Sequence, residues 1–228
     1  MPLAAEPSER WKEAFPGAII GILAMHGVVN PDQDGALTRR AADVQREIQS
    51  RYADANRSSL LAIPTLRSYS DYYRRFGKTY HVQLQLESIL FKARPITGPS
   101  AIVHAMFIAE LRNMLLTAGH DLDAVRGGLI VDVSVGDERY TLLNGVEQEL
   151  KPDDMYIRDE VGILSSIIYG PDHRTRITPA TRAVIFTVYA PAGISSDEVE
   201  RHLADLEANV RLFSPQAEVE ARALLGGS

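Results

Sequence analysis

The chain has 228 residues, 45% hydrophobic and 24% charged, which suits one ordinary globular domain able to bury a core without staples. It has no cysteine, which excludes disulfides and thiolate metal sites and suits a reducing compartment. A net charge of −6 argues against strong non-specific binding to DNA or RNA, whose affinity rests on many cationic phosphate contacts. The N-terminal residues lack a basic start followed by an apolar run, so no secretory signal is expected. No uninterrupted apolar stretch is long enough to span a bilayer. The longest block, 101–116, is broken by His104, Glu110, Arg112 and Asn113, and the cytoplasm is the expected location.

In chain order, 15–25 is an apolar run bounded by glycines and reads as a buried strand. Turn residues at 30–35 lead into a helix over 36–52, with Leu37, Ala41, Val44 and Ile48 on one stripe. Residues 64–76 read as a second helix, ended by Gly77. Residues 82–91 read as a third, although the alternation of Val82, Leu84 and Leu86 also permits a strand. Gly98-Pro99-Ser100 opens a helix expected to run to about Thr117, apolar nearly all round and stopped by Gly119. A turn or single helical turn at 121–123 leads to Gly127-Gly128. The period then changes to two: 129–135, 139–143, 155–158, 163–169 and 183–189 read as strands. Ser195 and Glu198 form a capping box for a closing helix with Val199, Leu203, Leu206, Val210 and Phe213 on one face. Helices, then strands, then a helix imply an α+β fold. No natural linker breaks the chain, which reads as a single domain.

The sequence offers few sites with built-in chemistry. There is no phosphate-cradling glycine-lysine loop, no dinucleotide fingerprint and no Gly-x-Ser-x-Gly. No two of the six histidines have the i, i+4 spacing of a zinc protease, so no metal or cofactor is expected. Glu147 lies just past the Asn144-Gly145 turn, which can aim a carboxylate into a cleft; it reads equally as an exposed strand charge. His81 opens a helix, where a neutral imidazole can orient water or simply sit at the surface. Ser165 and Ser166 read as small packing residues of a strand. The polar loop 172–176, with His173 and Arg174, suits phosphate or carboxylate contact, or local hydrogen bonding. Arg74 and Arg75 belong to a basic cluster that also reads as a solvated helix face.

Several pieces share one order and spacing over more than a hundred residues. They are Arg94-Pro95-Ile96, the apolar helix near Gly119, the 120–128 turn, Leu143-Asn144-Gly145-Val146-Glu147 and Tyr156-Ile157-Arg158-Asp159. In this they resemble the tRNA-editing domain of the phenylalanyl-tRNA synthetase beta subunit, or its free-standing relatives. The resemblance covers about 64–191, with 1–63 as an N-terminal elaboration and the helix 195–213 packed on the core. It implies a mixed or antiparallel sheet or partial barrel with packed helices in β/β/α layers. It also implies ester hydrolysis of a mischarged aminoacyl-tRNA, or binding of an amino acid or tRNA acceptor end without turnover. In that likeness Gly127 and Gly128 supply backbone donors to the oxyanion and His81 stands near the water. Glu147, Ser165 and Ser166 hold the amino acid. Arg74, Arg75, Arg94, His173 and Arg174 hold the acceptor end of the tRNA. The family's buried aspartate is replaced here by His104.

Overall fold

The computed structural model describes residues 3–227. Eleven strands and seven α-helices occur among them. In chain order they are β1 (Ala5–Pro7), α1 (Glu9–Ala14), β2 (Ile19–His26), α2 (Gly35–Arg51), α3 (Arg57–Leu61), α4 (Pro64–Arg74), α5 (His81–Lys92) and α6 (Ala101–Asn113). There follow β3 (Leu116–Asp121), a 3-10 turn (Leu122–Ala124), β4 (Leu129–Val133), β5 (Arg139–Thr141), β6 (Glu147–Glu149) and β7 (Met155–Arg158). The chain continues with β8 (Ile163–Ser166), β9 (Gly170–Pro171), β10 (Ala183–Ala190), α7 (Ser196–Phe213) and β11 (Glu218–Gly226). The fold is α+β, as the order of elements implies. Neither principal sheet closes into a barrel.

One sheet has the order β11-β2-β10-β3 and is antiparallel throughout. Its two inner strands are apolar on both faces. All eight residues of β10 are buried, and all of β2 except His26. Continuous apolar runs are what a strand covered on both faces requires. Helix α7 crosses β2 so closely that a side chain at Gly21 would stand 2.6 Å from Val199 Cγ1. The second sheet, β1-β4-β7-β8-β9, is mixed: β1 pairs with β4 in parallel and the remaining pairs are antiparallel. A separate hairpin, β5-β6, stands beside it. Val131, Met155, Ile157 and Leu164 of the second sheet share one core with Ile22, Val184, Phe186 and Val188 of the first.

The local signals explain most helices. Asp34 caps α2, and Leu37, Ala41, Val44 and Ile48 are its buried stripe. Ser195 and Glu198 form the capping box of α7, whose apolar stripe is buried as expected. Two expectations change. The helix opening after Ser100 ends at Asn113, because Met114 takes a left-handed conformation (φ 60°) and returns its N–H to Glu110 O. Residues 116–121 are then strand β3, and Gly119 belongs to it because a side chain there would meet Ile177 at 2.9 Å. Likewise β8 stops at Ser166, after which the backbone turns. The first sixty-three residues also do more than decorate: they supply β2, an interior strand.

Helix α4 ties the two sheets together. Tyr69, Tyr72 and Tyr73 are buried, spaced so that one helix face carries all three. The Tyr69 hydroxyl donates to Tyr189 O at the end of β10 and accepts from Leu116 N–H at the start of β3, the latter at 2.9 Å. Tyr72 accepts from Met155 N–H (2.7 Å) at the start of β7, and Tyr73 donates to Ile167 O (2.7 Å) just past β8. Strand ends buried without such partners would leave costly polar groups unpaired. Tyr69→Phe should therefore destabilise the protein by about 1–3 kcal/mol, since it orphans a buried donor and acceptor with little loss of volume. Urea unfolding of the variant beside wild type measures it.

Candidate functional site

A cavity of about 620 Å³ opens between α5, α6, β3, the β8–β9 turn and β10. Its walls are mostly apolar, including Met106, Phe107, Ile167, Tyr169 and Ile177. The polar groups reaching it are few: His81, Glu110, Thr117, Ser166, Tyr189 and, at the exposed rim, Arg176. An apolar hollow with a few convergent polar groups is the usual form of a small-ligand site.

Glu110 was not foreseen as a site residue. It lies in the last turn of α6 and is almost fully buried. Its one hydrogen bond among the described residues comes from Thr117 N–H to Oε1, at 2.8 Å. Burial pushes its pKa up to about 8, only partly offset by that bond. At neutral pH it is therefore a neutral acid, able to donate a hydrogen bond into the cavity or to surrender its proton to a basic ligand group. His81 begins α5, its Nδ1 3.5 Å from the Tyr73 hydroxyl. One side of His81 is open to solvent, yet desolvation by the protein around its ring lowers its pKa below the ordinary 6.5. It is neutral at pH 7 and free to accept a proton.

Behind the cavity wall runs a buried polar chain joining the two sheets. Thr175 donates to Asp172; His120 Nδ1 meets Thr175 Oγ1 at 2.8 Å; His120 Nε2 meets Ser165 Oγ at 3.2 Å. Ser165 Oγ meets the Tyr189 hydroxyl at 2.8 Å, and that hydroxyl donates to Ser165 O at 2.9 Å. Burial drives the His120 pKa down to about 3, with Arg174 adding to the effect, so the imidazole is neutral.

The structure brings some expected site residues together and separates others. His81 and Ser166 line the cavity, and Ser166 Oγ also accepts from Tyr169 N–H at 3.0 Å. Ser165 stands one layer behind, its hydroxyl held by His120 and Tyr189. Gly127 and Gly128 are absent from the cavity wall. A side chain at Gly127 would stand 2.2 Å from the Glu160 carboxyl carbon, and Gly128 packs on Ala4 beside β1. The left-handed backbone of Gly127 (φ 71°) and the Glu160 side chain beside it account for that glycine; at Gly128 a side chain would meet Ala4 only at ordinary contact distance. Glu147 is likewise outside the wall. It lies on the exposed hairpin strand β6, 4.0 Å from Arg139, with its side chain 67% exposed. The turn before it forms, with Val146 N–H donating to Asn144 Oδ1 at 3.0 Å, but it carries Leu143 rather than Glu147 to the cavity. The expected convergence of glycines, Glu147 and serines on one hollow is not what the fold builds.

The basic residues are equally dispersed. Arg74 pairs with Asp71 at 3.1 Å, and Arg75 lies over the rings of Phe15, Tyr72 and Phe76. Arg174 is spent inside the protein, 2.9 Å from Asp159 and 2.8 Å from Ala124 O. His173 is exposed, its carbonyl and ring both met by Arg176. Arg94 alone lines a hollow: a second cavity of about 390 Å³, whose wall includes His81 and Phe107 of the first. No group of three or more histidine, aspartate or glutamate side chains is placed to hold a metal among the described residues. None of their helices is long and apolar enough to cross a membrane.

Fold and cavity together define an α+β domain with a mostly apolar hollow set between two sheets and helices α5 and α6. Residues 69–209 match the B3/4 domain, and the chain belongs to that family, which includes the editing domain of the phenylalanyl-tRNA synthetase beta subunit. Among solved structures it is similar to an N-terminal fragment of the phenylalanyl-tRNA synthetase beta-subunit from Pyrococcus horikoshii. The identity is 11% and the TM-score 0.49, over 98% of this chain and 50% of that one. The chain thus spans about half the length of that fragment. No curated protein matches it.

The protonated state of Glu110 has a measurable consequence. Folded, the group releases its proton near pH 8; unfolded, near the ordinary 4.5. The stability this group contributes is full below pH 4.5 and is lost as pH rises to about 8. Glu110→Gln, neutral throughout, should therefore gain on wild type as pH is raised from 5 to 8, by on the order of a few kcal/mol. Urea unfolding of both proteins at the two pH values tests it.

Proposed function

We propose that this cavity takes the aminoacyl group of an aminoacyl-tRNA and that the chain hydrolyses the ester. The observation that carries the reading is that a neutral imidazole, His81, and a buried carboxylic acid, Glu110, open on one mostly apolar hollow. Its walls suit an apolar or aromatic amino-acid side chain. Glu110 faces the α-amino group of that residue. It passes its proton to the free α-amine and pairs with the ammonium so formed, an attraction that the low-polarity surroundings strengthen. His81 takes a proton from water as the water attacks the ester carbonyl. The proton passes to the departing ribose oxygen, leaving a free amino acid and a tRNA with a restored hydroxyl. An ester needs only modest base catalysis once it is positioned.

A deacylation panel over charged tRNAs tests the reading. At least one species should be hydrolysed above the spontaneous rate. His81→Ala should then lose roughly 10²–10⁴ in kcat/KM, the usual contribution of a positioned base. Because the His81 pKa lies below 6.5, the wild-type rate should be level near pH 7 and fall only on the acid side of 6.5. A flat panel would end the enzyme reading.

One observation favours a second reading, an amino-acid or acceptor-end binding module without turnover. The glycine pair expected to supply oxyanion donors stands away from the cavity. On that reading an amino acid stabilises the protein thermally while the panel stays flat.

A further inference from the structure

Strand β3 lies at a sheet edge: it pairs with β10 on one side and with no strand on the other among the described residues. In an antiparallel ladder, alternate residues turn both main-chain groups toward the partner or both away. Thr117 and Asp121 turn away from β10, since Thr117 N–H donates to Glu110 Oε1 (2.8 Å) and Asp121 N–H to Thr175 O (2.7 Å). Gly119 is midway between them and turns the same way. Among the described residues its N–H finds no acceptor and the Thr117 carbonyl finds no donor. Both residues line the larger cavity. Pro171 of β9, which also lines it, has no N–H with which to extend the ladder. Proteins ordinarily cover or blunt a sheet edge. Here the edge is met at Thr117 N–H and at Asp121 N–H and left open between them, where it borders the hollow.

We propose that this open stretch of β3 holds the main-chain atoms of an α-amino acid derivative, as one residue added to the sheet edge in parallel. A residue lying opposite Ala118 gives its N–H to the Thr117 carbonyl and accepts the Gly119 N–H on its own carbonyl. An aminoacyl group carries both partners, an amino nitrogen on Cα and a carbonyl next to it. Its amino group then lies beside Glu110, which holds the N–H of the same Thr117. The inference rests on the reading of the cavity as an aminoacyl pocket and supplies what that reading lacks, a backbone donor on the oxygen where negative charge develops as water attacks. Neither contact uses a side chain of the protein. The strand edge reads the backbone of the amino acid and leaves its side chain to the apolar walls.

The probes are L-phenylalaninamide, which has both groups, 2-phenylethylamine, which lacks the carbonyl, and 3-phenylpropanamide, which lacks the amine. The amide carbonyl stands in for that of the ester. Each probe is titrated calorimetrically into the full chain, and loss of either group should weaken binding about tenfold. In nitrogen–proton correlation spectra of the wild-type chain, the Gly119 amide proton should move downfield with the two amides and not with 2-phenylethylamine. Gly119→Pro removes that N–H and Gly119→Ala keeps it, while both set a side-chain carbon 2.9 Å from the terminal methyl of Ile177. Proline is tolerated on an edge strand where the N–H faces away from the partner. Relative to Gly119→Ala, the proline variant should bind L-phenylalaninamide about tenfold more weakly and 2-phenylethylamine equally. Where an aminoacyl-tRNA is hydrolysed, it should also lose roughly 10²–10³ in kcat. Equal binding of the three probes, no binding of any, or an unmoved Gly119 resonance overturns the proposal. If the probes follow the expected pattern but the deacylation panel is flat, the strand-edge site stands and the hydrolase reading falls. If a tRNA is deacylated while the probes bind alike, the hydrolase reading stands and the strand-edge site falls.

Discussion

The structure depends on the way one short helix satisfies the backbone of two sheets. Tyr69, Tyr72 and Tyr73 of α4 reach the ends of β10, β3, β7 and β8, where strand hydrogen bonding has run out in a dry interior. Each hydroxyl replaces a partner that water would have supplied. The same bonds fix the cavity, because Leu116, Ile167 and Tyr189 are both the residues they hold and part of its wall. Stacking of Tyr69 on Tyr80, at 4.2 Å between ring centroids, carries the anchoring into the segment that presents His81. Packing, strand termination and the position of the candidate base are therefore one arrangement.

Burial sets the protonation of the interior. Glu110 and Asp154 are raised to about 8 and about 7, while His120 and His202 are lowered to about 3 and about 4. In each case the uncharged form is favoured, as desolvation demands. His202 and His120 are held by Thr117 and by Thr175 and Ser165, neutral hydroxyls that suit a neutral imidazole. Asp154 differs: Tyr72 donates to Oδ1 at 3.1 Å, but Oδ2 has no geometric partner. Beneath the cavity these groups are thus polar in atoms but pushed toward their uncharged forms. A ligand's own charge will be felt strongly there.

Much of the scaffold was legible in the sequence because it is written locally. The capping box of α7, the glycine that follows α4 and the alternation of β4 depend on residues a few positions apart. The end of α6 was not, because Met114 leaves the helix without a glycine, and the strand after it is as apolar as the helix before. The candidate site was less legible still. Gly127 looked like a substrate contact, but its missing side chain makes room for Glu160, which lies thirty-three residues away in sequence and adjacent in space. Glu147 follows the right kind of turn, yet the hairpin carrying it faces solvent. Glu110 did leave a trace: a carboxylate inside a run apolar on nearly every side has few reasons to be there besides a buried role.

The sheet topology bears on how this domain can be handled. The family match begins at residue 69 and ends at 209, yet β2 and β11 come from either side of it. A shortened chain trimmed to the match would keep β10 and β3 and strip the neighbour that hydrogen-bonds along all eight residues of β10. That would bare a long, mostly hydrophobic strand edge, the kind of surface on which copies of a protein add to one another. Solubility and architecture are here the same question, and both are answered by residues outside the recognisable part of the sequence.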